Sequence, residues 1–380
     1  MTAIAADRPS ARLWKQTRRI LCVRLDALGD VIMTGPALRA LKQSAPDRHI
    51  TLLTSAAGVH AGRLMPCIDD IWSYEAPWMK GAHTGESAAA DRALISRLHQ
   101  GAFDAAVLFT VYSQNPLPAA LMCWLADIPL RVAHCRENPY HLLTDWIPEP
   151  EPESYIRHEV RRQLDLVRHL GAEAASERLF LQIPGAAFDN LDDTLGPLRT
   201  KIDEAVVIHA GATAASRRYP AEQFAVAADR LALAWEGPII FTGVESERPL
   251  VESIRARMNV PTYSLVGRLQ LPELAALLSR ARVLISNNTG AVHVAAAVGT
   301  AVVDLYALTN PQHTPWQVPS RVLFHDVACK FCYKSTCPQE HHDCLRLVTP
   351  DEIVDAAAEL LGLRSTSPSE EGLHLVHTRS

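Results

Sequence analysis

Residues 24–41 read RLDALGDVIMTGPALRAL, and the side chains in it that could do chemistry are Asp26 and Asp30, with Gly29 between them. An apolar run, RILCV, leads in, and a helical pattern ending PALRALK leads out. Two carboxylates and a glycine therefore sit where a buried strand turns into a helix. Gly29 permits a tight turn and the close approach of another molecule. Asp30 falls in the first turn of the helix, where the positive helix end favours a carboxylate by about 0.3–1 kcal/mol. Two roles fit Asp30: a helix cap, and a general base at a strand end. Asp26 fits a turn or ion-pair role better than catalysis.

Three further segments carry groups suited to an anionic or hydroxylated ligand. In VVIHAGATAASRRYP (206–220) a strand ends at His209, and a small-residue loop runs from Gly211 through Thr213 to Ser216. Arg217 and Arg218 follow, and Pro220 opens a helix. Small residues let backbone N–H groups approach an anion, and two arginines add charge and donors, so a pyrophosphate fits. The GxxxxGK[ST] phosphate-loop pattern is absent. In VLISNNTGAVHVAAAVGTAVVDLY (283–306) a strand runs into Asn287, Asn288 and Thr289, and Gly290 opens a helix of small residues with His293 one turn in. Asn288 or Thr289 could cap that helix, and its free N–H groups suit a phosphate. In FTGVESERP (241–249), Glu245 and Glu247 follow a strand and a glycine, the place from which a carboxylate can accept both hydroxyls of a ribose.

Four of the eight cysteines lie within 16 residues, as Cys329-x2-Cys332-x4-Cys337-x6-Cys344, with His341 and His342 among them. The leading CxxC fits a metal knuckle and the later spacing is less typical of zinc. A structural metal, disulfides and reduced packing thiols all stay open. None of them makes this the reacting centre.

These segments need a frame that brings strand ends together. The 380 residues exceed one ordinary core and suit two domains. Apolar runs alternate with helical patterns. Strands are expected at 19–25, 50–54, 104–109 and 129–134, and again at 205–209, 238–242, 282–286 and 301–306. Helices are expected near 36–45, 88–100, 116–126, 156–171, 220–235, 246–258, 271–280 and 290–298. Short, continuous apolar strands alternating with helices indicate doubly wound parallel sheets. The turn-rich stretch 172–203 marks the boundary. We expect a disordered basic tail at 1–18, a first Rossmann-like domain at 19–190, a second at 200–350, a helix at 351–363 and a disordered tail at 364–380. Two such domains suggest a cleft with ligands beyond the carboxyl ends of the strands.

Charge and hydropathy exclude other classes. Net charge is −5, so no global field draws nucleic acid. No apolar run reaches the roughly 18–20 residues of a membrane span, and the N-terminus lacks a secretory core. A cytoplasmic location follows as the expectation. Arg8, Arg12, Lys15, Arg18 and Arg19 leave two roles open for the N-terminus, a solvated tail and a peripheral contact with anionic lipid of the inner membrane.

In order and spacing, these segments resemble glycosyltransferase family 9, whose best-known members are ADP-heptose:lipopolysaccharide heptosyltransferases. The likeness rests on RLDALGDVIMTGPALRALKQSAPDRHITLLT, HEVRRQLDLVRHLG, HAGATAASRRYP, TGVESE, ISNNTGAVHVAAAVGTAVVDLYALTNPQHTPW and CKFCYKSTCPQEHHDCL, within residues 19–362. It implies a GT-B fold, two Rossmann-like domains facing a central cleft, and inverting transfer that requires no cofactor or catalytic metal. It implies Asp30 as the catalytic aspartate and Arg217 in place of a phosphate-binding lysine. It implies Glu247 as the ribose-binding glutamate with Glu245 as its rival, and Asn288, Thr289, Gly290 and His293 at the donor. The implied partners are a nucleotide-sugar donor, ADP-heptose, and a glycan or glycolipid acceptor met near Ser113, Gln114 and Arg136. The chain departs from the pattern where Asn288 replaces a common aspartate, where arginine replaces lysine, and where Ala307-Leu308 replaces Gly-Pro. A GT-B sugar-nucleotide epimerase or hydrolase, and a non-catalytic nucleotide-sugar-binding protein, are the rival readings.

Overall fold

The structure, a computed structural model, describes residues 9–79 and 88–363. It divides between Arg178 and Leu179 into two compact units.

The first unit contains α1 (Pro9–Gln16), β1 (Arg19–Arg24), α2 (Leu28–Ser44), β2 (His49–Thr54), α3 (Ala56–Gly62), β3 (Asp70–Ser73), α4 (Ala89–Gln100), β4 (Ala105–Leu108), α5 (Leu117–Leu125), β5 (Leu130–Cys135), β6 (Asp145–Pro148) and α6 (Glu159–Arg168). Its six strands are all parallel, in the order β3-β2-β1-β4-β5-β6. The order reverses between β1 and β4, and the crevice beyond their carboxyl ends is the place where such sheets take ligands. β1 is buried from Ile20 to Arg24, as a central parallel strand covered on both faces must be.

α2 begins at Leu28, eight residues before the expected 36, and carries Pro36 in its interior. Its residues are buried on nearly every side, from Gly29 to Leu41, so no amphipathic stripe marks its start. The early start places Asp30 in the first turn. The solvated tail expected through residue 18 does not hold for its described part. Residues 9–16 are α1, Trp14 is 2% exposed, and its indole N–H donates to Asp145 at 3.0 Å.

The second unit contains α7 (Gly185–Leu195), β7 (Val206–His209), α8 (Ala221–Ala234), β8 (Ile239–Thr242), α9 (Arg248–Arg255), β9 (Tyr263–Ser264), α10 (Leu271–Arg280), β10 (Val283–Asn287), α11 (Gly290–Val298), β11 (Ala301–Leu305), β12 (Ser320–Leu323), α12 (Asp343–Arg346) and α13 (Pro350–Leu361). The strands are again parallel, in the order β12-β11-β10-β7-β8-β9, the same winding as in the first unit. The reversal here lies between β7 and β10. The first domain was expected to end at 190, but α7 belongs to the second unit. Asp192 pairs with Arg280 of α10 at 2.9 Å and Asn190 donates to Glu273 at 3.1 Å.

α13 shows how local chemistry sets an element's ends. Thr349 accepts from the Glu352 N–H, Pro350 fills the first turn, and Gly362 stops the helix with φ +76°. The tail at 364–380 and the first eight residues lie outside the described residues. Among the described residues no helix is long and apolar enough to cross a membrane.

Candidate active site

In the first unit the candidate residues gather where β1 ends. Asp30 uses both oxygens. Oδ2 accepts from the Ala27 N–H at 3.2 Å, which caps α2, and Oδ1 lies 3.2 Å from Nη2 of Arg24. The cap and the functional role are therefore not alternatives. A carboxylate oxygen has two lone pairs, so an anchored oxygen can still take a proton. The Asp30 side chain is 17% exposed, whereas Arg24 is wholly buried.

Arg24 also meets Asp26 and Glu159, the first residue of α6. Burial opposes the guanidinium's charge, but these three carboxylates outweigh it and raise its pKa. Gln163, one turn along α6, donates to Glu159 at 2.6 Å and to the Thr110 carbonyl beyond β4 at 2.9 Å.

The residues expected on the acceptor side have defined places. Gln114 donates to Asp26 at 2.5 Å. Arg136 donates to the carbonyls of Tyr112 and Glu151 and so ties two loops together. Ser113 is exposed on the loop between them.

In the second unit the ends of β7, β8 and β10 form a cradle. Glu247 occupies the space over two glycines. A Cβ built on Gly211 would lie 1.8 Å from its Oε1, and one built on Gly243 would lie 2.8 Å from its Oε2. Its carboxylate accepts from the Val244 N–H at 2.9 Å and lies 3.9 Å from Nε2 of His209. Burial lowers the His209 pKa, with Glu247 pulling the other way. The rival Glu245 is engaged elsewhere, with both oxygens 2.6 Å from the Arg248 guanidinium.

Neither Asn288 nor Thr289 caps α11 through its side chain. Thr289 is extended, and its buried Oγ1 has no hydrogen-bond partner. The helix start is thus left with N–H groups unclaimed by a cap and roughly half a positive charge. Asn288 instead donates to Asp304 Oδ2 and to the His313 carbonyl, both at 2.9 Å. Burial pushes the Asp304 carboxyl well above the usual range, while the Asn288 bond and the charge of Arg217 pull it back. Asn288 and Asp304 are thus neighbours, and Arg217 is near enough for its charge to act on Asp304. Arg218 donates to the Ala212 carbonyl at 2.7 Å and holds the loop's shape. Thr213 is exposed in that loop. His293 is buried in α11, its ring 6.4 Å from that of His313.

Three contributors escaped the sequence reading. Asn287 accepts from the Tyr219 N–H at 3.0 Å and donates to the Ala210 carbonyl at 2.7 Å, which stitches the arginine loop to β10. His209 was visible only as a strand end. Asp304 lay in the apolar strand that closes the 283–306 segment and was given no role there.

Of the three roles left open for Cys329, Cys332, Cys337 and Cys344, a structural metal finds no assembled ligand set. Among the described residues no three His, Cys, Asp or Glu side chains are arranged to hold a metal ion, and all four cysteines are free thiols. They line a small cavity with His341 and His342. Their loop buttresses the arginine loop, since Ser216 donates to the Ser335 carbonyl at 3.0 Å through N–H and to Lys334 at 2.8 Å through its hydroxyl.

Comparison with known proteins adds to this geometry. A family model for glycosyltransferase family 9 (heptosyltransferase) matches residues 92–342. Lipooligosaccharide heptosyltransferase 2 of Campylobacter jejuni is 27% identical over 128 residues, which are 32% of this chain and 40% of that protein, so the chain spans under half that relative's length. A family 9 glycosyl transferase of Veillonella parvula has a TM-score of 0.75 at 22% identity, covering 91% of this chain and 98% of that one. ADP-heptose lps heptosyltransferase II of Escherichia coli has a TM-score of 0.71 at 22% identity, covering 91% and 99%.

Proposed function

The chain belongs to glycosyltransferase family 9, and from that membership we propose that it moves a heptose from ADP-heptose to a hydroxyl of a lipopolysaccharide core acceptor, with inversion at the anomeric carbon and no catalytic metal. The names of the similar proteins support the donor and the acceptor class. The observation that carries the reaction is Asp30, a carboxylate anchored at both oxygens, partly exposed, at the carboxyl end of a central strand.

The acceptor oxygen attacks the anomeric carbon while its proton passes to Asp30. The bond from that carbon to the diphosphate breaks, and ADP leaves with the electron pair. General-base assistance of this kind contributes about 10²–10⁴-fold. Charge growing on the diphosphate is met by Arg217 and the uncapped N–H groups of α11, with Arg218 keeping the loop in shape. Fixed donors of this type contribute roughly 3–4 kcal/mol each, which supports a reaction without a cation. Glu247 accepts the ribose hydroxyls. Gln114 and Arg136 shape the loops that face the acceptor.

The test is product analysis with ADP-heptose and a lipopolysaccharide core oligosaccharide. The wild type yields a heptosylated product, and Asp30→Asn turns over about 10²–10⁴-fold more slowly while still binding ADP. Wild-type turnover by that variant removes Asp30 as the base. A preference for UDP- or GDP-sugars overturns the donor. Donor consumed without any acceptor overturns transfer in favour of an epimerase or hydrolase.

A further inference from the structure

The reaction as drawn uses Asp30 and leaves the rest of the first unit's charge cluster without a task. Arg24 meets three carboxylates with its three nitrogens. Nε lies 2.9 Å from Asp26 Oδ2, Nη1 lies 2.7 Å from Glu159 Oε1, and Nη2 lies 3.2 Å from Asp30 Oδ1. The carboxylates come from the loop after β1, from α2, and from α6, which is 135 residues distant in the chain. Arg24 and Glu159 are wholly buried, and the Asp26 side chain is 10% exposed. Stability does not explain the arrangement, because buried ion clusters are often replaced by apolar groups at no cost or with a gain.

We propose that Arg24, Asp26 and Glu159 form a positioning set for Asp30, in which Arg24 fixes the carboxylate's orientation and the charge on Asp26 sets how strongly Asp30 draws a proton. This rests on the reading of Asp30 as the base.

Arg24 keeps its proton throughout, so its part is orientation and field. Glu159 accepts from Nη1 and Asp30 from Nη2, while Asp26 meets Nε as a close charge at 2.9 Å without a hydrogen bond between them. Lysine, a point charge, could not meet three partners in this fork. Asp26 is the member whose charge can change. The groups facing it are Arg24 on β1, Asp30 on α2, Glu159 on α6 and the neutral Gln114 beyond β4. Burial pushes its carboxyl up to about 6, against Arg24 and with help from Asp30 and Glu159. Two carboxyls joined through one guanidinium titrate as a pair. Above that pH the Asp26 charge adds to the field that draws a proton to Asp30. Below it Asp26 is neutral and the pull weakens.

The test is the pH profile of transfer by Asp26→Asn, measured on the full chain with ADP-heptose and a lipopolysaccharide core oligosaccharide. We expect plateau turnover to fall about tenfold, one pK unit of lost proton affinity, and KM for ADP-heptose to hold. The acidic limb moves down by about one unit relative to the wild type. The thermal midpoint at pH 7.5 rises by a few degrees, because a raised carboxyl pKa means stability lost as pH climbs through it, and asparagine loses none. The pair Arg24→Lys and Arg24→Met gives an independent reading, with lysine recovering at least about tenfold of the turnover that methionine loses. If the Asp26→Asn limb and plateau match the wild type while Asp30→Asn is inactive, the positioning set is refuted and the base stands. Equal loss in the two Arg24 variants also refutes it. If Asp30→Asn turns over at the wild-type rate, the base itself falls.

Discussion

Gly211→Ala separates donor binding from stability more sharply than any change to a charged residue. A Cβ at 211 would lie 1.8 Å from Glu247 Oε1, 2.0 Å from Cδ and 2.4 Å from Oε2. Ordinary contact begins at 3.4 Å, so the carboxylate must retreat by about 1.6 Å. The atoms that move are the end of a flexible side chain, so the fold yields cheaply. The loss is the bond to the Val244 N–H, within the roughly 0.5–2 kcal/mol of a helix cap. In the role proposed for Glu247, binding suffers more, because a retreating carboxylate would no longer accept ribose hydroxyls. Hydrogen bonds to a charged group contribute about 1.5–3 kcal/mol, which predicts an ADP Kd roughly 10- to 150-fold weaker. Gly237→Ala is the contrast. Its Cβ would lie 2.1 Å from the Glu204 backbone carbonyl, which cannot step aside, and overpacking there costs about 1–3 kcal/mol. Calorimetric titration with ADP and urea unfolding of both variants decide the matter. Gly211→Ala should bind weakly and unfold nearly normally, and Gly237→Ala the reverse. Wild-type ADP affinity in Gly211→Ala would refute the role given to Glu247.

Two further outcomes follow from groups buried in the first unit. Burial, with Arg162 and Arg157 adding to it, lowers the His134 pKa to about 2. Its contribution to stability is complete above pH 6.5 and declines as pH falls, by about 1.4 kcal/mol per unit. The wild type should therefore lose about 2.3 kcal/mol more than His134→Asn between pH 6.5 and 4.5 by urea unfolding, and parallel curves would exclude this. Trp14→Ala should cost up to about 3–5 kcal/mol and undock α1, read as loss of amide-exchange protection at 12–17; unchanged protection would mean that Trp14 does not hold the helix.

What could be read from the chain follows the position of each strand in its sheet. The four interior strands of each unit, β2, β1, β4, β5 and β11, β10, β7, β8, are continuous apolar runs and were expected within a residue or so. The four that were missed are the edges, β3, β6, β9 and β12. An edge strand is short and covered on fewer sides, as in DIWS and SRVL, where no residue is fully buried. α2 was placed too late for the opposite reason, since burial on all sides erases the stripe. Asp30 was legible because glycine and aspartate at a strand-to-helix turn have local meaning. Its anchor was not, because Glu159 reaches Arg24 across 135 residues. The choice between Glu245 and Glu247 needed Arg248 in three dimensions. The missing aspartate at Asn288 has a spatial answer too. Asp304, on the strand beside it, brings a carboxyl to Asn288 within 2.9 Å, a pairing across 16 residues that the order of the segment alone does not reveal.

The two units share one winding, so their differing chemistry comes from what the residues at each reversal point carry. At the end of β1 the chain gathers Asp26, Asp30 and Glu159 around a single arginine. At the ends of β7 and β10 it gathers Arg217, an uncapped helix start and amides, and the nearby Asp304 carboxyl is pushed by burial toward its neutral form. One frame thus concentrates carboxylates, and the other sets an arginine and helix N–H groups beside the single Glu247 carboxylate. That is the division a proton acceptor and a diphosphate holder require, since a base is strengthened by anions around it and a leaving diphosphate by cations and N–H dipoles. The same logic explains why the buried charge in the first unit is so heavily cross-braced. Carboxylates gathered this closely repel one another, and Arg24, bonded to Glu159 and Asp30 and 2.9 Å from Asp26, together with the Ala27 N–H, holds Asp30 in place.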